Sequence, residues 1–447
     1  MYDSARLWLC WPGPGGSLTR QGISIRWVGM RATNEHYSKS LSYFAWQRLK
    51  RDKLSVVGMF VIGLSIVISI LGYLIVPDTT PDANMQILQL GLKPPGFSMQ
   101  MLMIRKNKAS EHVNFLSKMA SGEISDFEVP KPIHQYSFEG NDIVVEEYTG
   151  NTPNNGVELH YNVADVIYPI NYNLPVINKV DEGYIEFYVL GSNQKLRKNI
   201  KELRADLEKN NIIKRKYLLG TDHAGRDMLS RLMIGTRISL LVGLISVIIS
   251  IVIGLLLGAI GGYFRGWVDE VIMWFINVVW SIPTLLLVIA ITLVLGKGTW
   301  QVFVAVGLTM WVDVARVVRG QIMSLREQEF IEAGRALGYS HSRLIFRHVM
   351  PNVMGPVIVI AASNFASAIL IEAGLSFLGI GAQPPTPSWG AMINENRGYI
   401  LVEGGAYLAI LPGVAIMIMV LAFMLVGNGL RDAIDTRAID EEPVVEY

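Results

Sequence analysis

The stretch "EAGRALGYSHSRLIFRHVMP", residues 332–351, is polar and basic but stands between two long apolar stretches. Gly338 is typical of the left-handed residue that follows the end of a helix. Ser340 suits the N-cap of a second short helix, and Pro351 can begin the next helix but not continue the last one. The sequence therefore predicts a helix, a glycine hinge and a second short helix, which we call the knuckle (residues 326–351).

The knuckle allows two interpretations. In a helical arrangement Glu332, Arg335 and Ala336 share one face. The small side chains of Ala333, Gly334 and Ala336 would let another surface approach the backbone, as when a helix docks into a groove of a partner protein. An ordinary amphipathic loop helix that packs on its own bundle has a similar pattern. The residues alone leave both open.

The composition indicates a membrane protein. Of 447 residues, 51% are hydrophobic and 17% are charged, and the mean hydropathy is +0.34, which is too apolar for an ordinary soluble chain. The formal net charge of +1 provides no field for nucleic acid. Cys10 is the single cysteine, so no internal disulfide can form, and the absence of Cys/His clusters leads us to expect no metal and no cofactor.

Six stretches are long and apolar enough to span a bilayer, which takes about 20 residues. We therefore predict an all-α membrane protein with six transmembrane helices. The fourth stretch is the weakest, because Asp313 and Arg316 lie near its end. The stretches are Leu54–Val76, Ile238–Phe264, Val271–Leu295, Trp300–Val318, Val353–Ile371 and Ala406–Val426.

Lysine and arginine beside the spans predict the orientation. "WQRLKRDK", residues 46–53, precedes the first span, and alternation then places the knuckle and the basic C-terminal end on the same side. The opposite side has few basic residues near the spans. Since basic residues collect on the cytoplasmic side, we expect both termini and the knuckle in the cytoplasm.

Residues 77–217 are then an extracytoplasmic insertion between the first and second helices. Residues 142–150, 156–163 and 183–190 have the β-branched and aromatic content of strands, and residues 193–211 are typical of a charged helix. The pattern predicts a small mixed α/β domain, with a loose, partly ordered insertion as the alternative.

The remaining chain divides around these parts. Residues 1–40 are predicted to be a disordered extension, in which Met30 is an alternative start. Residues 41–76 are predicted to form a cytoplasmic lead and the first helix, 218–437 the transmembrane core, and 438–447 a cytoplasmic tail.

Several motifs together resemble one family. Glu332-Ala333-Gly334, Gly338 and Met350-Pro351 are similar to the loop of ABC importer permeases in which "EAA" is followed by a glycine and then by "Ile-x-Leu-Pro". Three further stretches resemble dipeptide and oligopeptide permeases of the C type, in the right order between the right spans. They are "LGTDHAGRDMLSRLMIGTRISL" at 219–240, "LSFLGIGAQPPTPSWGAMI" at 375–393 and "GNGLRDAIDTR" at 427–437.

The resemblance implies a function and a set of partners. It covers residues 41–95 and 218–437 and implies a multi-pass permease subunit of the bacterial inner membrane, within lipid, for dipeptides or oligopeptides. A homologous permease, two ABC ATPase subunits and an extracytoplasmic substrate-binding protein would be its partners. In that family the knuckle docks on the ATPase. The sequence departs from the family at Trp274 and Asn277, where an Arg and an Asp are common.

Several other residues allow a structural role as well as a functional one. Asp222 and Asp227 are interpreted as helix-capping or ion-pairing groups, because no convergent catalytic set accompanies them.

Pro384, Pro385 and Trp389 either dock the binding protein at the outer mouth or anchor the chain at the membrane interface. The candidate path-lining residues are Asn277, Pro283 and Asn364. Gly254, Gly258 and Gly262 predict a close helix interface.

The sequence has no GxxxxGKS or GxxxxGKT loop, so we expect no ATP binding by this chain and no enzymatic activity. The favoured hypothesis is therefore an importer permease driven by separate ATPases. A membrane-anchored extracytoplasmic sensor or binding module is the alternative, motivated by the insertion. A secondary transporter is disfavoured, because no internal repeat is evident.

Overall fold

The computed structural model describes residues 41–108, 114–150, 152–174, 176–179, 183–191 and 195–434. The predicted extension at 1–40 and the predicted tail at 438–447 lie outside the described residues. From Ala45 onward the described residues form one compact unit.

Two helices begin the described chain, α1 (Leu41–Arg51) and α2 (Lys53–Ile75). Asp52 separates them and caps α2, because its carboxylate accepts hydrogen bonds from the backbone N–H groups of Leu54 (3.2 Å) and Ser55 (3.0 Å). The apolar helix α2 corresponds to the first predicted span.

In its described residues the insertion contains two antiparallel sheets, three short α-helices and two 3₁₀ turns, Pro81–Ala83 and Leu88–Leu90. Its five-stranded sheet has the order β4-β3-β2-β1-β8, and its three-stranded sheet has the order β5-β6-β7. One face of the larger sheet packs on α4 and α5 around Leu102, Ile143 and Leu207, all fully buried. The elements are β1 (Ser98–Leu102), α3 (Phe115–Ser121), β2 (Lys131–Glu139), β3 (Asp142–Glu147), β4 (Glu158–Asn162), α4 (Val163–Ile167), β5 (Ile177–Lys179), β6 (Tyr184–Tyr188), β7 (Lys195–Asn199), α5 (Ile200–Asn210) and β8 (Ile212–Lys216).

The predicted strands of the insertion are present as β3, β4 and β6, but the helix predicted for residues 193–211 is wrong in its first part. Lys195–Asn199 form strand β7, paired with β6, and the helix begins at Ile200. Asn199 caps that helix through its side chain, which accepts from the Lys201 N–H at 2.8 Å. Pairing with the aromatic strand β6 therefore overrides the helical charge pattern of residues 195–199.

The core after the insertion is helical. Its elements are α6 (Met228–Phe264), α7 (Gly266–Trp280), α8 (Thr284–Leu295), α9 (Thr299–Leu325), α10 (Glu329–Ala336), α11 (His341–Arg343), a π-helical turn (Leu344–Val349), α12 (Met350–Phe377), α13 (Trp389–Asn396) and α14 (Tyr407–Ile434).

The predicted third span is not one straight helix. The helices α7 and α8 meet at an angle of 90° across Ser281–Pro283. Because Pro283 has no N–H and restricts the residue before it, this is where the helix ends. Within the described residues five helices are long and apolar enough to cross a membrane, and the bent pair counts as a sixth if it forms one span.

The glycine ridge of α6 packs within the chain, against α9. A Cβ on Gly254 would lie 2.5 Å from Val314 Cβ, and one on Gly258 would lie 2.6 Å from the carbonyl oxygen of Ala315. The predicted close helix interface is therefore confirmed as an intrachain one.

Candidate functional site

The first helix of the knuckle ends in the turn expected from its glycine. Gly338 has φ +76°, in the left-handed region. The N–H of Gly338 donates to the carbonyl of Arg335 (2.9 Å), and the N–H of Tyr339 donates to the carbonyl of Gly334 (3.1 Å). This is the Schellman pattern, which satisfies the free carbonyls at a helix end. Ser340 then accepts from the Arg343 N–H at 3.4 Å, as expected of an N-cap.

The buried side of the knuckle packs on the helical core. Ile331, Leu344 and Val349 are almost fully buried against Val318 and Ile322 of α9. Because burial of large aliphatic side chains is worth about 1.5–3 kcal/mol each, the knuckle is fixed to the ends of the long helices. The knuckle and the adjoining ends of α9 and α12 therefore share one hydrophobic cluster.

Gly334 lies on this buried side and not on the outer one. A Cβ there would lie 2.8 Å from Leu344 Cδ2 and 3.4 Å from Tyr339 Cδ2. Its small size is needed for packing inside the knuckle, so the expectation that Gly334 brings a partner close to the backbone is corrected. Ala333 and Ala336 are exposed beside it.

The outer side of the knuckle carries charged side chains and also large apolar ones. Glu332 and Arg335 are exposed, and so are Phe330 (47%), Leu337 (72%) and Phe346 (61%). The exposure of these three apolar residues was not predicted, although Phe346 interrupts the basic face of its turn. Exposed apolar side chains of this size are typical of a docking surface.

The second helix of the knuckle does not end before Pro351. The chain is helical from His341 to Phe377, with a π-helical turn at Leu344–Val349. Met350 donates its N–H to Ile345, five residues back. Pro351, which has no N–H to donate, directly follows the π-helical turn and Met350, and the helix continues through it. The expectation of a separate short helix is therefore wrong, and the knuckle runs directly into α12.

Polar contacts hold the base of the knuckle. The hydroxyl of Tyr263 is 2.9 Å from His341 Nδ1, and Arg265 Nη2 is 2.6 Å from Glu327 Oε1. Nearby, Arg319 forms a bidentate pair with Asp269, with N–O distances of 2.5 and 2.6 Å. The pair joins α7 to α9 close to the same end of the bundle.

A second polar site lies at the opposite end of α6. Asp222 accepts from Arg226 Nε (2.7 Å) and from Arg231 Nη1 (2.8 Å), and Glu395 accepts from the same two arginines at 2.6 and 2.9 Å. The four side chains are buried or nearly so, and their charges cancel. These contacts agree with the interpretation of Asp222 as an ion-pairing group. Glu395 was not predicted, because it comes from α13, about 160 residues later.

The network shifts the acidities of its carboxyl groups. Burial alone would raise the pKa of Asp222, but Arg231 and Arg226 outweigh it and hold that pKa below its ordinary value. The same balance of burial and arginine charge lowers the pKa of Glu395. Asp227 caps α6, accepting from the Ser230 N–H at 2.9 Å; burial, the largest effect, raises its pKa.

The predicted outer-mouth residues separate in the structure. Pro384 and Pro385, joined by a cis peptide bond, are exposed, whereas Trp389 is 3% exposed. Trp389 Nε1 donates to the carbonyl of Leu232 (3.0 Å), and the ring lies against Gly235. Docking of a binding protein and anchoring at the membrane interface both need an exposed ring. The prediction for Trp389 is therefore corrected, because the residue packs between α13 and α6.

The predicted path-lining residues also separate. Asn277 and Pro283 are exposed on the chain at the bend between α7 and α8. Asn364 is 6% exposed and donates from Nδ2 to the carbonyl of Met310 at 3.5 Å. Asn364 is therefore a packing residue between α12 and α9 and does not line an open path in this conformation. Asp313, halfway along α9, is exposed as well.

No group of three or more His, Cys, Asp or Glu side chains within the described ranges could hold a metal ion. The acidic residues at the two polar sites are paired with arginines. These sites are therefore built as ion pairs that join helices.

The chain matches two sequence families. The family described as "binding-protein-dependent transport system inner membrane component" matches residues 237–440. The family described as "N-terminal TM domain of oligopeptide transport permease C" matches residues 40–95. Most of the insertion lies between the two matched regions.

Curated relatives are similar over the same core. A glutathione transport system permease protein of Pectobacterium atrosepticum is 42% identical over 221 residues, which are 49% of this chain and 73% of the relative. A dipeptide transport system permease protein of Alkalihalophilus pseudofirmus is 40% identical over 221 residues, 49% of this chain and 72% of the relative.

Solved structures match more distantly. A methionine ABC transporter in an inward-facing conformation has a TM-score of 0.40 and 18% identity, covering 46% of this chain and 98% of that chain. With 42% identity to a relative covered over 73% of its length, the chain belongs to the family of binding-protein-dependent transport system inner membrane components.

Proposed function

We propose that this protein is the C-type permease subunit of an ABC importer that carries dipeptides, oligopeptides or peptide-like solutes. It forms half of a translocation path with a homologous permease. Two ATPase subunits drive the transport, and an extracytoplasmic binding protein delivers the solute. The chain itself performs no catalytic step in this proposal and holds no cofactor.

The knuckle carries the proposal. Its buried side packs on α9 and α12, while Phe330, Leu337 and Phe346 are exposed, as are Glu332 and Arg335. A helix with apolar anchors and a charged rim suits a groove in a partner. The direct continuation into α12 provides a rigid connection from that groove to a membrane helix. We infer that ATPase closure pushes the knuckle and rocks the helices between inward- and outward-open states.

The proposed solute class follows from the relatives. Their names assign them to glutathione and dipeptide transport. Both solutes are small peptides, and we infer the same broad class for this chain.

Asn277 and Pro283 remain proposed path-lining residues, since both are exposed at the bend of the third span.

The proposed topology places both termini and the knuckle in the cytoplasm and the insertion outside, in the inner membrane. Arg48, Lys50 and Arg51 at the end of α1 support it. Pro384 and Pro385 are exposed at the other side and remain proposed contacts of the binding protein.

A crosslink tests the proposed docking. Cys10→Ser removes the single cysteine, and Ala336→Cys then places a thiol on the exposed side of the knuckle. We expect Ala336→Cys to crosslink to an ATPase subunit with cysteines around its groove, and the yield to change with ATP. Leu401→Cys, which is 96% exposed and proposed to lie outside, is the matched control and should remain uncrosslinked. Equal yields at the two positions would contradict the proposal.

The sensor alternative requires only an anchor for the insertion. The family match over residues 237–440 and the knuckle leave that alternative without support.

A further inference from the structure

A cavity of about 520 Å³ lies between the insertion and the end of the first membrane helix. One wall is strand β8, represented by residues 213–216, and another is the segment that leaves α2, with Pro77, Thr79 and Thr80. Residues 123 and 125–127 close a further side. The volume is within the range of about 300–1,000 Å³ that small-molecule sites occupy.

Strand β8 is the edge of its sheet, because β1 is its single neighbour among the described strands. The carbonyl of Asn211 accepts from the Met103 N–H, and the N–H of Tyr217 donates to Phe97, so both residues turn their backbone groups toward the β1 side. Backbone groups of alternate residues point to opposite sides of a strand. The N–H and C=O groups of Lys214 and Lys216 therefore point away from the sheet, along the edge that borders the cavity.

These outward backbone groups have no backbone partner in the part of the chain that the structure describes. An open edge of this kind is a template for an added strand. A short extended peptide that aligns with β8 would be recognised through its own backbone, whatever its side chains are. That form of recognition suits a solute class with variable side chains.

The walls of the cavity differ in charge. Lys214, Arg215 and Lys216 line the strand side, and Glu123 and Asp126 line the opposite side. The ammonium groups of Lys214 and Lys216 have no side-chain partner among the described residues. The guanidinium of Arg215 is held in place, with Nη1 3.4 Å from Met85 Sδ. On the opposite wall Glu123 is paired with Lys118, whereas the two lysines could receive the carboxylate of a peptide.

We propose that the edge of β8 binds a short zwitterionic peptide as an added strand, with its carboxylate at Lys214 and Lys216. This inference rests on the proposed function, because it makes the peptide the carried solute. The insertion would then be an accessory binding site and not a simple cover.

The walls of the cavity are attached to the helical core. The Asp78 N–H, next to Pro77 in the cavity wall, donates to Ser230 Oγ of α6 at 3.0 Å. Arg237 of α6 donates to the carbonyl of Ala120 at 2.8 Å, so α3 is tied to the same helix. The walls are thus fixed to α2 and α6.

Peptide binding by the full chain in lipid nanodiscs, without ATPase, tests the proposal. Equilibrium dialysis with trialanine should show saturable binding. N-acetyl-trialanine amide, which lacks both charges and so the charged contact with the lysines, should bind about tenfold more weakly, a difference of about 1.4 kcal/mol. The double substitution Lys214→Glu/Lys216→Glu should weaken trialanine binding by at least the same factor. Lys201→Glu, a charge reversal on the exposed face of α5, is the control and should have no effect.

A backbone variant separates strand addition from charge alone. Lys214→Pro removes an N–H that points into the cavity and leaves the β1 side of the strand intact, as an edge strand allows. It should weaken binding of both peptides. Equal affinity for the charged and blocked peptides, or unchanged binding in the double variant, would overturn the proposal.

The two proposals fail in different ways. If trialanine does not bind but Ala336→Cys still crosslinks to the ATPase, the accessory site is refuted and the permease assignment stands. If the crosslink is absent as well, the proposed function is refuted together with it.

Discussion

At the scale of single residues, Gly334 and Gly338 are four positions apart and serve different needs. Gly334 leaves room for Leu344, whereas Gly338 adopts φ +76° with nothing within 4 Å of the place of its Cβ. Substitution at Gly338 therefore costs backbone strain, about 1–2 kcal/mol for an ordinary L-residue, and not a steric clash.

We expect Gly338→Asp and Glu332→Lys to uncouple ATP hydrolysis from uptake while the chain still inserts into the membrane. Gly338→Asp strains the turn that orients the exposed side of the knuckle, and Glu332→Lys reverses a charge on that side. Solute uptake and ATPase activity should be measured together in proteoliposomes of the complete transporter. Gly338→Asn should retain more coupling than Gly338→Asp, because Asn occurs at this left-handed position and adds no negative charge at the C-terminal end of α10. Normal uptake by both Gly338→Asp and Glu332→Lys would contradict the role of the knuckle.

At the scale of elements, the contact of α6 with α9 depends on close approach of two backbones. At Gly258 a Cβ would meet the Ala315 carbonyl oxygen at 2.6 Å and Val318 Cβ at 2.8 Å. Neither atom is the end of a flexible side chain, so the helices themselves would have to separate.

Gly258→Leu is therefore expected to destabilise the purified chain by about 1–3 kcal/mol or more, the usual cost of overpacking. The measurement is the thermal unfolding midpoint in detergent. Gly63→Leu is the matched control, because Gly63 is also in an apolar helix but has nothing within 4 Å of its Cβ position. A similar loss of stability in both variants would show that helix packing at Gly258 is not the cause.

At the scale of the whole molecule, the network of Asp222, Arg226, Arg231 and Glu395 joins segments about 160 residues apart in sequence. It fixes the start of α6 to α13. Removing one partner of a buried ion network leaves an unpaired charge, which typically costs about 3–5 kcal/mol.

Acid should weaken this connection. Because the pKa values of Asp222 and Glu395 are lower in the folded chain than their ordinary values of 3.8 and 4.5, the unfolded chain takes up protons first as the pH falls. The stability that the network contributes is complete above about pH 4.5 and is lost as the pH falls through the folded pKa values. Thermal midpoints between pH 7 and pH 3 should therefore fall less steeply in Glu395→Gln than in the unchanged chain. Parallel curves would contradict this account.

The sequence by itself determined the membrane class, the positions of the apolar helices, the turn at Gly338 and the cap at Ser340. These depend on local composition and on backbone preferences, which act between near neighbours. The resemblance of the knuckle and the spans to a permease family is confirmed by the family match and by relatives with 40–42% identity.

The tertiary structure decided what each side chain contacts. The sequence predicted Trp389 at an exposed surface and Asn364 on the translocation path. Both side chains are instead buried by helices that are distant along the chain. Leu337 and Phe346 became exposed because Ile331, Leu344 and Val349 occupy the side that faces α9. The partnership of Arg231 with Glu395 and the open edge of β8 likewise depend on long-range contacts, which no local pattern encodes.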